Sequence, residues 1–121
     1  MKYTDSHEWI KIEGQMGMVG ITKYAQKELG EIVHIELPKV GKVVEAGDEV
    51  AVLESTKAAA DIYSPVSGKI VSTNDRLREN LSLINEYPEG EGWLFKIQLE
   101  DKRELEELHD EKSYMKLICA D

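Results

Sequence analysis

The sequence holds a single cysteine, Cys119, among 121 residues. One thiol forms no intrachain disulfide and excludes zinc sites built on paired cysteines, which fits a reducing compartment. Basic charge is scarce: 15 Lys and Arg stand against 24 Asp and Glu, for a formal charge of -9. No stretch gathers bases without acids between them, so neither nucleic acid nor an anionic membrane has an electrostatic reason to bind. Long hydrophobic runs are missing as well, since no window approaches the roughly 18 apolar residues of a membrane span. Residues 1–20 are interrupted by Lys2, Asp5, Glu8, Lys11 and Glu13, so they form no signal-type apolar region. A cytoplasmic protein is expected, or a mitochondrial one if an import sequence preceded Met1.

Catalytic signatures are lacking too. There is no G-x-x-x-x-G-K-[ST], no G-x-S-x-G and no H-E-x-x-H. Gly14, Gly17 and Gly20 are evenly spaced, but they lie inside a strand pattern with no βαβ unit, so they are not a dinucleotide fingerprint. His7, His34 and His109 are scattered beside acids and share no metal-ligand spacing; they are expected on the surface, and no metal is expected. Cys119 falls on a helical stripe, where a small buried hydrophobe is expected. The chain is not expected to be an enzyme in its own right.

What is present describes a small β protein. The length suits one domain burying roughly 65% of its unfolded surface, and about 49% apolar residues is ordinary for a globular chain. Short alternating runs separated by Gly, Pro, Asn and Asp predict antiparallel strands. They fall at residues 7–13, 16–21, 33–37, 50–54, 60–63, 69–72 and 93–99, and Pro38 ends the third of them. In that run Val33, Ile35 and Leu37 are expected on one face, with His34 and Glu36 on the other. Thr22 is a good N-cap for one short helix over 23–29, which Gly30 can end in a left-handed conformation. Gly41-Lys42-Val43-Val44 recurs as Gly68-Lys69-Ile70-Val71, an offset of 27 residues. A true repeat implies two β units related by a rotation, with residues 54–61 between them.

The tail differs. Residues 100–121 contain eight acids and four bases. Leu105 and Leu108, then Tyr114, Leu117 and Ile118, recur at spacings of three and four, which predicts amphipathic helix in two pieces broken near His109 and Asp110. The β core is thus expected over about 6–99 and a helical segment over about 100–119, together forming a single domain over 1–121.

The segment with chemical content runs from Glu54 to Gly68: Glu-Ser-Thr-Lys-Ala-Ala-Ala-Asp-Ile-Tyr-Ser-Pro-Val-Ser-Gly. It places Lys57 at a hairpin tip, followed by alanines that offer no bulk, so another protein's active site can approach the amine. This segment closely resembles the lipoylation site of the glycine cleavage H proteins. The resemblance extends to Ser6-His7-Glu8-Trp9, Val19-Gly20-Ile21-Thr22, Tyr24-Ala25-Gln26, Leu29-Gly30-Glu31-Ile32-Val33, Ile35-Glu36-Leu37-Pro38, Val40-Gly41, Asn85-Glu86 and Gly90-Glu91-Gly92-Trp93-Leu94. Thr56 stands where the family more often has Val, and both are β-branched. Residues 76–83 and 116–121 follow no family pattern.

The resemblance implies a barrel-sandwich hybrid of two antiparallel sheets, of the lipoyl and biotinyl carrier type, with one short internal helix and C-terminal helices. It implies lipoate bound covalently to Lys57, with Ser6, Glu8 and Asp61 forming a cleft that holds the aminomethyl-loaded arm. Glu54 becomes a candidate for recognition by a lipoate-attaching enzyme. Further partners implied are a pyridoxal-phosphate glycine decarboxylase, a tetrahydrofolate-dependent aminomethyltransferase and dihydrolipoyl dehydrogenase, served by a monomeric carrier. Two alternatives stay open: an H-like protein relaying lipoate to 2-oxoacid dehydrogenases or a redox system, and a biotin carrier, which would want Met on both sides of the lysine rather than Thr56 and Ala58.

Overall fold

A computed structural model describes residues 1–119. The first hairpin pairs β2 (Glu8–Glu13) with β3 (Met16–Ile21), in register from Glu8 opposite Ile21 to Glu13 opposite Met16. The short strand β1 (Lys2–Tyr3) adds to its outer edge. Helix α1 (Lys23–Leu29) follows, with Thr22 Oγ1 accepting from Ala25 N at 3.2 Å. Gly30 ends it at φ 81°, donating its N–H to Gln26 O at 2.9 Å.

The chain continues through β4 (Ile32–Glu36), β5 (Val43–Val44), β6 (Glu49–Ser55), β7 (Ala59–Tyr63) and β8 (Gly68–Thr73). Two single-turn helices, α2 (Arg76–Glu79) and α3 (Ser82–Glu86), precede β9 (Phe95–Leu99). A 3-10 segment (Lys102–Glu107) and α4 (Glu111–Ile118) close the described chain. The strands form a six-stranded sheet in the order β1-β2-β3-β9-β8-β5 and a three-stranded sheet in the order β4-β6-β7. Every pairing is antiparallel, as the two-sheet expectation required. The sheets enclose a core in which Ile10, Leu53, Ile70, Phe95 and Ile97 are fully buried. Burying such a side chain stabilises the fold by roughly 1.5–3 kcal/mol. No helix among the described residues is long and apolar enough to cross a membrane.

The repeated tetrapeptides are physical partners. Val43 faces Lys69 and Val44 faces Gly68 across the β5–β8 pair, and Gly41 N donates to Ile70 O at 2.7 Å. Two copies related by a rotation would meet antiparallel about the axis in this way.

Several expectations need correction. A bulge between Ile32 and His34 shifts the register of β4 on β6. Ile32 therefore takes the buried position and Val33 is 50% exposed, rather than facing inward with Ile35 and Leu37. Strand β9 starts at Phe95, two residues later than expected. In the tail the break falls where predicted, because Asp110 caps α4 by accepting from Ser113 N at 2.8 Å. The first piece is a 3-10 segment, however, and Leu117 is exposed while Tyr114 and Ile118 pack inward. Cys119 lies beyond the end of α4 and is exposed, not buried.

Candidate functional site

Lys57 occupies the tip of the β6–β7 hairpin. Ser55 organises the turn: its Oγ donates to Ala58 O at 3.1 Å and accepts from Lys57 N at 3.1 Å and Ala58 N at 3.0 Å, while Ser55 N donates to Ala58 O at 2.8 Å. Thr56 N anchors the tip to Glu31 O at 3.2 Å. Thr56, Lys57, Ala58 and Ala59 are all exposed. The lysine stem lies over the end of α1, where a Cβ on Gly30 would sit 3.4 Å from Lys57 Cε. Glycine there supplies the positive φ, a conformation that L side chains rarely adopt. An amine held on a braced but uncrowded turn suits acylation by an enclosing active site, and the residues present fit a covalently attached acyl group.

Ser6 and Glu8 are brought together. Glu8 is 1% exposed, and its Oε1 accepts from Thr4 Oγ1 at 2.5 Å and Ser6 Oγ at 2.6 Å. Its Oε2 accepts from the backbone of Tyr63, in β7, at 3.2 Å. Thr4 Oγ1 also takes the Glu8 N–H at 3.0 Å. Among the described residues no basic side chain lies within ion-pair reach of this carboxylate. A buried carboxylate usually has a cationic partner; this one has hydroxyls and an amide.

Asp61 lies two residues before Tyr63, on the outward face of β7. Its carboxylate shares a hydrogen bond with Glu49, and that bond, aided by the Asp61 charge, holds the Glu49 carboxyl above its usual range. Glu54 is exposed between His34 and Ala59 in register, on the same outward face. There, donor atoms of His34, Glu36 and Glu54 lie within 4.8 Å of one another, a set that can ligate a divalent cation, though all three are solvated. Sequence spacing does not show this set, because His34 and Glu54 meet only through strand register.

His7 and His109 are not simple surface residues. His7 adopts φ 72°, a left-handed conformation that costs a non-glycine residue about 1–2 kcal/mol. Its Nδ1 lies 2.8 Å from Tyr114 Oη, its ring packs on Tyr24 at 4.7 Å, and its carbonyl accepts from Thr22 N at 3.0 Å. Tyr114 Oη also lies 2.7 Å from Thr22 Oγ1. Burial chiefly pushes the Tyr114 phenol above its usual range, against the Thr22 bond and with help from Glu89, so the hydroxyl stays protonated. His109 contacts Ser113 and Asp5 through its two ring nitrogens, at 2.7 and 2.5 Å.

Helix α1 serves as a ruler. Lys57 rests at its Gly30 end and His7 at its Thr22 end, about 12 Å apart at 1.5 Å per residue. Asp61 is four extended residues from Lys57, about 13 Å. An acyl arm on the lysine stem, about a dozen bonds of roughly 1.5 Å, would cover such spans.

Comparison with known proteins shows the family. A family model described as glycine cleavage H-protein matches residues 1–121. The glycine cleavage system H protein of Thermotoga maritima is 53% identical over 119 residues, covering 98% of this chain and 95% of its own. That of Carboxydothermus hydrogenoformans is 50% identical, covering 98% and 91%. The crystal structure of the glycine cleavage system H protein from Mycobacterium marinum superposes with a TM-score of 0.85 at 37% identity, covering 93% and 91% of the two chains. With the match running from end to end in sequence and in fold, the chain belongs to the glycine cleavage H-protein family.

Proposed function

We propose that this chain is the lipoyl carrier of a glycine cleavage system, that Lys57 is its lipoate attachment site, and that Ser6, Glu8 and Asp61 shelter the amine of the loaded arm. The observation that carries the reading is the pairing of an exposed, braced lysine with a buried carboxylate that has no cation of its own. Bound as an amide at Lys57, lipoate supplies a dithiolane that is opened, loaded with an aminomethyl group and reoxidised by partner enzymes. Acylation removes one positive charge, taking the formal charge from -9 to -10. Ser55 keeps the turn in one shape for the attaching enzyme, with Glu54 as a recognition contact.

At the far end of the arm Glu8 provides charge, while Thr4 and Ser6 fix its Oε1 and leave Oε2 bonded only to Tyr63 N. An ammonium arriving there meets a carboxylate whose desolvation is already complete. Asp61, two residues before Tyr63 on β7, offers a second acid. Tethering keeps the arm's reactive end at an effective concentration on the order of mM near these groups. The partners in this reading are glycine decarboxylase, the folate-dependent aminomethyltransferase and dihydrolipoyl dehydrogenase, in the cytoplasm.

Intact mass spectrometry tests the attachment. Incubation with lipoate, ATP and a lipoate-attaching enzyme adds one lipoyl amide to the parent and nothing to Lys57→Arg; a persistent increment in the variant, or a biotin increment instead, overturns the assignment. Exchange of bicarbonate carbon into glycine with the source organism's decarboxylase tests the pathway. Lipoylated protein that supports no exchange acts as a lipoate relay instead.

A further inference from the structure

We propose that Tyr114, on α4, is a positioning residue for the amine-sheltering groups: its hydroxyl, shared between His7 and Thr22, holds the Ser6–His7–Glu8 turn in the shape that aims Ser6 and Glu8 into the cleft. The inference rests on the reading of Ser6 and Glu8 given above. The two residues flank His7, whose left-handed backbone sets the relative directions of its neighbours. A histidine keeps that conformation only when outside contacts over-determine it, and the contacts can be named. The His7 N–H donates to Thr4 O at 3.2 Å, and its carbonyl accepts from Thr22 N at 3.0 Å. Its ring leans on Tyr24, and its Nδ1 reaches Tyr114 Oη at 2.8 Å.

Tyr114 Oη stands 2.7 Å from Thr22 Oγ1, which also accepts the helix-capping N–H of Ala25, and 2.8 Å from His7 Nδ1. Tyr114 thus connects a C-terminal helix to the cleft across 107 residues of sequence. Thr4 completes the circuit, accepting the His7 N–H on its carbonyl while its hydroxyl grips Glu8 Oε1 at 2.5 Å. If the Tyr114 hydroxyl is lost, His7 loses its side-chain hydrogen bond, and the turn that presents Ser6 and Glu8 is free to relax.

The phenyl ring has its own support. It stacks on Tyr3 with centroids 4.6 Å apart and planes 7° from parallel, so Tyr114→Phe deletes the hydroxyl without unseating α4. The test uses the full, unmodified chain with methylammonium chloride as the cation probe and potassium chloride as the ionic-strength control. Binding is read from the amide resonances of Ser6, Glu8 and Tyr63, and local opening from hydrogen exchange at residues 6–8. Tyr114→Phe should weaken methylammonium at least threefold and speed exchange at residues 6–8 at least tenfold, with lipoylation of Lys57 unchanged in rate. Ile118→Ala, which thins the packing of the same helix against the Tyr3–Trp9–Tyr114 cluster while keeping the hydroxyl, is the packing control and should leave methylammonium binding as in the parent. Parent-like binding by Tyr114→Phe, or equal weakening by Ile118→Ala, overturns the inference alone. If the parent shows no saturable binding that Glu8→Gln abolishes, the cleft reading fails and the inference falls with it.

Discussion

The small Ser55 side chain makes three hydrogen bonds at the point where the chain reverses, all of them within its own turn. Such bonds are worth about 0.5–1.5 kcal/mol each when net exchange with water is counted. At an exposed tip, most of that energy holds Lys57 in one presentation instead of holding the fold together. Ser55→Ala should therefore cut kcat/KM for enzymatic lipoylation by roughly 5- to 20-fold, about 1–2 kcal/mol, and move Tm by less than about 2 °C. Unaltered lipoylation kinetics would show that the attaching enzyme imposes the turn itself. Residues at this scale differ in how legible they are in sequence. Lys57 stands in a run distinctive enough to be recognised, and Ser6, Glu8 and Asp61 come with that resemblance. Thr4 and the Tyr63 amide do not, because one depends on a side chain folding back four residues and the other is a backbone group with no identity to read.

The elements show the same division. Strands long enough to display alternation, such as β2, β3 and β6, are readable, and so is α1, because Thr22 and Gly30 mark both ends. The strands β1 and β5 have two residues each, too few to show a period. Helices α2 and α3 are single turns whose N-cap residues make no side-chain capping bond, so they lack the usual signature. The bulge in β4 hides the true face of Val33, since periodicity assumes an unbroken ladder. The junction of β8 with β9 depends on a detail that strand pattern also conceals. At Gly68 a Cβ would fall 2.0 Å from Gln98 O, a backbone atom that cannot rotate away. Gly68 faces Leu99 on one side and Val44 on the other, so displacement there disturbs three strands. Gly68→Ala should destabilise the protein by about 2–4 kcal/mol, within the range for strained or overpacked sites, read as a lowered urea midpoint at constant m. A midpoint within experimental error of the parent would mean that the sheet flexes more easily than its register implies.

At the scale of the whole molecule, charge dominates. A formal charge of -9 repels itself, and part of it is concentrated on the outward face of the three-stranded sheet, where Glu36, Glu49, Glu54 and Asp61 are all exposed. This acidity favours solubility and electrostatic steering toward basic partner surfaces, at the expense of the folded state's own stability. The Glu49–Asp61 contact gives the sign of the pH dependence. Glu49 has a folded pKa raised above its ordinary 4.5. The native state therefore binds a proton that the unfolded chain lacks in the interval between the two values, and stability climbs as pH falls through that interval. Asp101 works the other way, because its bonds to Arg103 depress its folded pKa below 3.8; its stabilisation persists at neutral pH and disappears only in stronger acid. As pH falls towards Glu49's ordinary 4.5 the expectation is a rising Tm, with a shallower slope in Glu49→Gln. Screening acts in the same direction, since 0.1 M salt shortens the Debye length to about 10 Å. Scanning calorimetry of the unmodified chain should find a higher Tm in 200 mM than in 10 mM NaCl, and lipoylation of Lys57, by removing a cation from an acidic molecule, should widen that difference. A Tm that falls with added salt would mean that attractive pairs outweigh repulsion, and the acidic face would then have to be explained as a stabilising network instead of a surface kept for partners.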